Sequence, residues 1–321
     1  MAFKFVFLPP QNDRTREMAD VISKGVPDAQ VANPETEADA EREIVDAEAA
    51  FGTISPAVLN KASRLKWLQA PAAAPAAGYY YPALIAHPVT VTNYRGIFND
   101  RIPAQIMAYV LSFARAFHLY SRQQARSEWH PHGYDSIRHL PESTALIVGV
   151  GGIGGETARL CAAFGMRVIA VDARQEVKPE GVAEMHRPDA LERLLPEADF
   201  VIVTIPHTPE TEGMFNAKLL GLMKRTAYFI NIGRGMTTKL DDVNAAVRNG
   251  TIAGAALDVY EIEPLPADHP LWTAPNTILT PHVADRGPHL DQRRRDILLD
   301  NVRRFAAGQT LVNVVDKANW F

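Results

Sequence analysis

Between Ala145 and Leu279 the chain repeats one pattern six times: a short, nearly all-apolar run, then a segment with helical spacing. The runs are Ala145–Val148, Val168–Val171, Phe200–Ile205, Ala227–Ile230, Ala253–Val259 and Thr277–Leu279. A strand with one wet face alternates apolar and polar residues. These runs do not alternate, so both faces must be covered. Buried strands with a helix between each pair predict a doubly wound parallel sheet.

The first hundred residues repeat the theme on a smaller scale. Phe3–Leu8, Ala49–Phe51, Leu65–Gln69 and Val89–Thr92 read as strands, with helices around Arg14–Ser23 and Glu35–Asp46. This is a second, smaller α/β unit. From Ile102 to about Ser127 the apolar positions Ile106, Val110, Leu111, Phe113 and Phe117 predict one long helix, a crossover between the two units. Trp129–His139 reads as loop, and a charged helix is expected from Pro288 to Ala307.

Bulk properties exclude several classes of function. At 321 residues the chain has room for about two domains. A net charge of −4 gives no reason to expect nucleic acid or an anionic membrane as partner. Arg293, Arg294 and Arg295 read as one solvated helix face. The single cysteine, Cys161, rules out an intrachain disulfide and fits a reducing compartment. No apolar run reaches the ~18 residues a membrane span needs. The N-terminal apolar run is short for a signal peptide and is closed by Pro9 and Pro10. A cytoplasmic protein is the expectation, with no metal site.

Chemistry concentrates at strand ends. Gly149, Gly151 and Gly154 follow the strand T-A-L-I-V and open a helix. The first glycine permits a tight turn, the second lets backbone approach a pyrophosphate, and the third allows close helix–sheet packing. About 20 residues on, the next strand ends at Asp172, where a carboxylate can accept from both ribose hydroxyls. Asp172 repels a 2′-phosphate, so NAD is expected, while Arg174 leaves NADP open. A turn-capping role is the plainer alternative for Asp172.

Three polar islands lie downstream: N-I-G-R-G (Asn231 to Gly235), D-V-Y-E-I-E-P (Asp258 to Pro264) and T-P-H (Thr280 to His282). Arg234 can hold a substrate carboxylate in bidentate fashion and polarise the carbonyl beside it. His282 can give or take the proton of a carbonyl–alcohol interconversion. A carboxylate beside an imidazole favours its charged form and fixes its tautomer, a role for which Glu261 and Glu263 compete. Asp258 can hold the nicotinamide carboxamide or simply close a turn.

In this order, these motifs resemble the D-isomer-specific 2-hydroxyacid dehydrogenase family. I-P-H-T-P-E-T-E-G (Ile205 to Gly213), A-A-L-D-V-Y-E-I-E-P-L-P and T-P-H-V-A extend the likeness. R-L-K-W-L-Q (Arg64 to Gln69) and P-L-P-A-D-H-P-L-W (Pro264 to Trp272) point to the glyoxylate/hydroxypyruvate reductase-type members. The resemblance implies a Rossmann-type NAD-binding domain at residues 101–286. It also implies a flavodoxin-like substrate domain from residues 1–100 and 287–321, and a homodimer formed through the cofactor domain. It gives the catalytic set as Arg234, Glu263 and His282. Gly152, Ile153, Ala173, Arg174, Ile205, Pro206, Thr211, Ile232, Gly233 and Asp258 are implied along the cofactor, and Ala73 and Ala74 at the substrate.

Three departures bear on the substrate. Where the family has a small-residue loop, this chain has A-P-A-A-A-P-A-A-G-Y-Y-Y; Pro75 has no N–H to offer. Tyr79, Tyr80 and Tyr81 either line the pocket or pack into the core. Gln105 stands where many relatives have glutamate, and Asp285 replaces a small residue. The expected activity is interconversion of a 2-oxo acid and a D-2-hydroxy acid. The alternatives are a NAD(H)-sensing corepressor-like protein and a dehydrogenase that oxidises formate or phosphite; the long N-terminal extension common in formate enzymes is not expected here.

Overall fold

The computed structural model of the protein describes residues 2–73 and 78–319. It divides into two compact units, Met1–Ile97 with Pro288–Phe321, and Phe98–Gly287.

The first unit holds a five-stranded parallel sheet: β1 Phe3–Phe7, β2 Ala29–Ala32, β3 Ala49–Phe51, β4 Trp67–Gln69 and β5 Thr90–Thr92. Its order, β2-β1-β3-β4-β5, is the flavodoxin-like one. One sheet face packs Val6, Ala50, Leu68 and Val91 against Ile44, Val58 and Leu84. The other carries an aromatic row, Phe7–Phe5–Trp67–Phe305, with ring centroids 5.2, 5.4 and 5.5 Å apart. Phe305 lies on the helix Leu290–Ala306, so the C-terminal segment completes the core of this unit.

The second unit holds seven parallel strands: β6 Thr144–Val148, β7 Arg167–Val171, β8 Glu184–His186, β9 Phe200–Val203, β10 Tyr228–Asn231, β11 Gly254–Leu257 and β12 Thr277–Leu279. Their order is β12-β11-β10-β9-β6-β7-β8. The chain starts mid-sheet at β6, runs out to β8, then returns to β9 on the other side, a Rossmann-type arrangement. Alternate residues of β6 feed two cores: Leu146 and Val148 point into one, Ala145 and Ile147 into the other. This is why the central runs are continuously apolar.

Three expectations need correction. The long helix predicted from Ile102 is two helices, Arg101–Ala114 and Phe117–Ala125. They break at Ala116, a buried residue with φ of 56° that no glycine or proline marks. Strands β2 and β8 were not expected; both are edge strands, and β8 is only half-buried along its length. Of the three arginines read as a solvated face, Arg294 keeps only 18% side-chain exposure.

Candidate active site

The seven-stranded sheet reverses direction between β6 and β9, where an open α/β sheet gathers its ligand-binding loops. Gly149 follows β6 with φ of 94°, a conformation side-chain-bearing residues avoid. A Cβ there would stand 2.8 Å from Ile205 Cγ2, and one on Gly154 would stand 1.9 Å from the Gly149 carbonyl oxygen. Gly151, by contrast, has nothing within 4 Å of where its Cβ would be. It precedes the helix Gly152–Ala163, whose start has no side-chain cap. Two glycines let the backbone close on itself, and the third leaves a bare helix N-terminus open. Such an end attracts phosphate. Gly152 instead takes the Asn99 side chain against its backbone, and Ile153 packs toward the core.

Asp172 follows β7. Its Oδ2 accepts from Val150 N (2.7 Å), and Oδ1 accepts from the N–H groups of Arg174 and Gln175 (2.8 Å each). Burial pushes its carboxyl up, but the N–H groups of Gln175, Arg174 and Val150 and the Arg187 charge outweigh that and hold it below its ordinary value. Asp172 is thus an ionised clasp between the glycine turn and the loop Ala173–Gln175. Ala173 and Arg174 are exposed.

Beyond β9, Ile205 is pressed between two glycines, since a Cβ on Gly233 would stand 2.5 Å from its carbonyl oxygen. Thr211 folds the Pro206–Thr211 loop by donating to the Pro206 carbonyl (2.8 Å) and accepting from Thr208 N (2.8 Å). Ile232 is buried at the end of β10. The Arg234 loop is organised by Asn231, a fully buried residue that the motif reading passed over. Asn231 Oδ1 accepts from Gly233 N (3.0 Å), and its Nδ2 donates to Thr238 Oγ1 (2.7 Å) and the Arg234 carbonyl (3.2 Å). Arg234 Nη1 donates to the Gly233 carbonyl (2.6 Å). Burial lowers the guanidinium pKa and the nearby Glu263 charge opposes that, so a desolvated cation faces a carboxylate it does not hydrogen-bond.

The two glutamates separate cleanly. Glu261 accepts from Leu240 N (2.7 Å) and pairs with Lys239 (3.2 Å), capping the helix Leu240–Arg248. Glu263 Oε2 lies 2.7 Å from His282 Nδ1, while its Oε1 accepts from Tyr260 N (3.0 Å). The backbone N–H fixes the carboxylate, the carboxylate fixes the ring, and Nε2 is left for chemistry. His282 itself has φ of 51°.

A buried chain of hydrogen bonds runs behind this pair. Asp258, 1% exposed, accepts from Val283 N and Ala284 N (3.0 Å each) and from the Thr280 hydroxyl. A hydroxyl has one proton. Because Thr280 gives its proton to the carboxylate, Tyr109, which contacts the Thr280 hydroxyl, must be the donor of that bond. Tyr109 in turn accepts from Gln105 Nε2 (3.0 Å). Burial raises the Tyr109 pKa, which keeps the phenol a neutral donor. The direction of the chain explains Gln105: an ionised glutamate there could not donate.

These loops lie within the stretch that a family model matches. The model for the D-isomer specific 2-hydroxyacid dehydrogenase NAD binding domain matches residues 107–284. The chain belongs to the D-isomer specific 2-hydroxyacid dehydrogenase family. A glyoxylate reductase of Korarchaeum cryptofilum is 34% identical over 71% of this chain and 70% of its own length. A solved structure of a probable 2-hydroxyacid dehydrogenase from Rhizobium etli, in complex with NADP, HEPES and L(+)-tartaric acid, covers all of this chain (TM-score 0.83, 25% identity, 99% of that chain). A second, a D-isomer specific 2-hydroxyacid dehydrogenase from Xanthobacter autotrophicus with NADPH and MES, has a TM-score of 0.83 at 27% identity and also covers both chains fully. The bare helix start and the cleared space at Gly151 fit the nicotinamide dinucleotide that this dehydrogenase uses.

Two expectations meet the smaller unit. Ala73 accepts from Asn93 Nδ2 (2.9 Å) through its carbonyl, while Ala74 and Pro75 lie outside the described residues. Tyr79 and Tyr80 are buried in the core, and Tyr79 and Tyr81 donate to the carbonyls of Gly52 (2.9 Å) and Ile54 (3.1 Å). They are packing residues of their own unit. Among the described residues no helix is long and apolar enough to cross a membrane.

Proposed function

We propose that this dehydrogenase reduces a small 2-oxo acid to a D-2-hydroxy acid, and runs the reverse, with Arg234, His282 and Glu263 as its working residues. The 2.7 Å contact between Glu263 Oε2 and His282 Nδ1 carries this reading. It orients Nε2 to donate a proton to the developing alkoxide during reduction and to take it back during oxidation. The Arg234 guanidinium, with one protein hydrogen bond among the described residues, has N–H groups left to grip a carboxylate in bidentate fashion. The nicotinamide, when bound, supplies or accepts the hydride. The glycine turn Gly149–Gly154 would hold its pyrophosphate, with Ile205, Pro206, Thr211, Ile232, Gly233 and Asp258 along its length.

NAD(H) is the proposed cofactor. The ionised Asp172 carboxylate, beside Ala173, favours ribose hydroxyls and repels a 2′-phosphate. Solved relatives named with NADP or NADPH, together with Arg174 and Arg187 here, make the contest a real one. A homodimer through the larger unit is supported by its exposed aromatics, Trp129 (98% exposed), Tyr134 (97%) and Phe117 (64%). A cytoplasmic location fits the lone buried thiol of Cys161.

The test is oxidation of NADH and NADPH with glyoxylate, hydroxypyruvate, pyruvate and longer 2-oxo acids, in wild type and His282→Gln. A drop in kcat of about 100-fold or more, with NADH affinity nearly kept, is expected for loss of a general acid. Unchanged kcat would remove His282 from the mechanism. NADPH preferred over NADH would overturn the cofactor assignment.

A further inference from the structure

The five-stranded sheet has its own reversal point, between β1 and β3, and a cavity of about 190 Å³ opens there. Its floor is the backbone leaving the two strands, Leu8 to Pro10 after β1 and Gly52 to Thr53 after β3. The helix Asp13–Gly25 starts at its edge, with Asn12 lining the wall. Two guanidiniums reach it, Arg14 from that helix and Arg294 from the helix Leu290–Ala306. Both arginines contact Asp291, at 3.4 and 3.0 Å, so two cations share one carboxylate that does not line the cavity. Asp13, in the first helical turn, is exposed. The neighbouring Arg295 is matched by Glu17.

Tyr94 supplies the independent observation. Only 1% of it is exposed, it lines the cavity, and its hydroxyl has no hydrogen-bond partner among the described residues. A buried hydroxyl left unsatisfied costs about 1–3 kcal/mol in general, so such a group ordinarily has a partner. Burial raises the Tyr94 pKa while Arg294 and Arg14 pull it down, so both guanidiniums lie within electrostatic reach of this neutral donor. Three donors of one kind therefore converge: two arginines and a phenol, with a helix start beside them. None of the three can accept from a ligand as it stands, except the phenol oxygen.

We propose that this cavity is a binding site for a small oxyanion, a carboxylate or phosphate of a few heavy atoms, held by Arg14, Arg294 and the Tyr94 hydroxyl. Planar guanidiniums match either group in bidentate fashion. The volume admits a small organic acid or inorganic phosphate and excludes a nucleotide. The site belongs to the smaller unit alone and is independent of Arg234.

The experiment is calorimetric titration of NADH-saturated protein with inorganic phosphate and, separately, with malonate. Wild type, Arg294→Gln, Tyr94→Phe and Arg234→Gln are compared. Binding is expected to weaken by about tenfold in Arg294→Gln, the loss of one charge-assisted pair, and to survive in Arg234→Gln. Tyr94→Phe guards against misfolding, because it only deletes an unpartnered hydroxyl: the empty protein should melt at the same temperature or higher, while anion affinity falls. Stronger binding of phosphate or of malonate tells which source the site prefers. The proposal is overturned if wild type binds neither, if Tyr94→Phe and Arg294→Gln both bind as wild type does, or if only Arg234→Gln loses binding.

Discussion

At the reversal point of the seven-stranded sheet, the helix Gly152–Ala163 begins with no side-chain hydrogen bond capping its first turn. At the reversal point of the five-stranded sheet, Asn12 caps the helix Asp13–Gly25 reciprocally with Thr15, and two arginines stand alongside. One topological rule thus serves two kinds of binding surface. The first is made of backbone, and its glycines leave the room that the proposed pyrophosphate needs. The second has its backbone donors partly satisfied, so side chains must provide the charge. Backbone sites tolerate no added atoms, whereas side-chain sites can be altered one group at a time.

Alanine at Gly154 should have the largest effect. Its Cβ would meet the Gly149 carbonyl oxygen at 1.9 Å, and that atom is backbone, which cannot yield as a side-chain end can. A loss of about 3 kcal/mol of stability and at least a tenfold fall in NADH affinity are expected, from thermal melts and fluorescence titration. Gly151→Ala sharpens the contrast, because its Cβ meets no protein atom. Its melting temperature should stay near wild type while NADH affinity falls by about tenfold, since only the ligand's space is taken. A stable Gly154→Ala protein that binds NADH normally would refute the backbone account.

Tyr109→Phe comes next. Removing the donor to Thr280 should cost about 1 kcal/mol of stability and lower kcat with little change in KM for NADH, because it loosens the support of the His282 loop. A fall in KM-linked terms alone would place Tyr109 outside that support. Asn12→Ala should be mildest, at about 1 kcal/mol from the lost cap, with NADH affinity and kcat unchanged.

Much of this architecture is readable in the chain because burial on both faces leaves a mark. The runs of the larger unit's inner strands are nearly all apolar, and the edge strand β12 also lies at Thr277–Leu279 as expected. The opposite edge strand, β8, carries no such mark: Glu184, Met185 and His186 are each half-buried, and only pairing with β7 makes them a strand. The break at Ala116 follows from tertiary packing, as an alanine seldom signals a left-handed residue. The same divide runs through the site. Arg234 and His282 announce themselves by chemistry at strand ends, but residue type does not separate Glu263 from Glu261; the family resemblance names Glu263, and the geometry sets its carboxylate against His282. Asn231, Thr280 and Tyr109 act by hydrogen bonds within the protein, and their residue types carry no such signature. Arg294, in a run of three arginines, is distinguished by position alone.

Asp258 ends β11, yet its carboxylate is spent on the amides of Val283 and Ala284, just past β12. The loop bearing Glu263 and the loop bearing His282 are therefore moored to one buried post. The stretch between them, from Pro264 to Asn276, is anchored separately: Leu265, Leu271 and Ala274 are buried in the core, while Trp272 is exposed. Its exposed positions, Trp272 among them, can therefore change without moving Glu263 against His282, whereas its buried ones cannot.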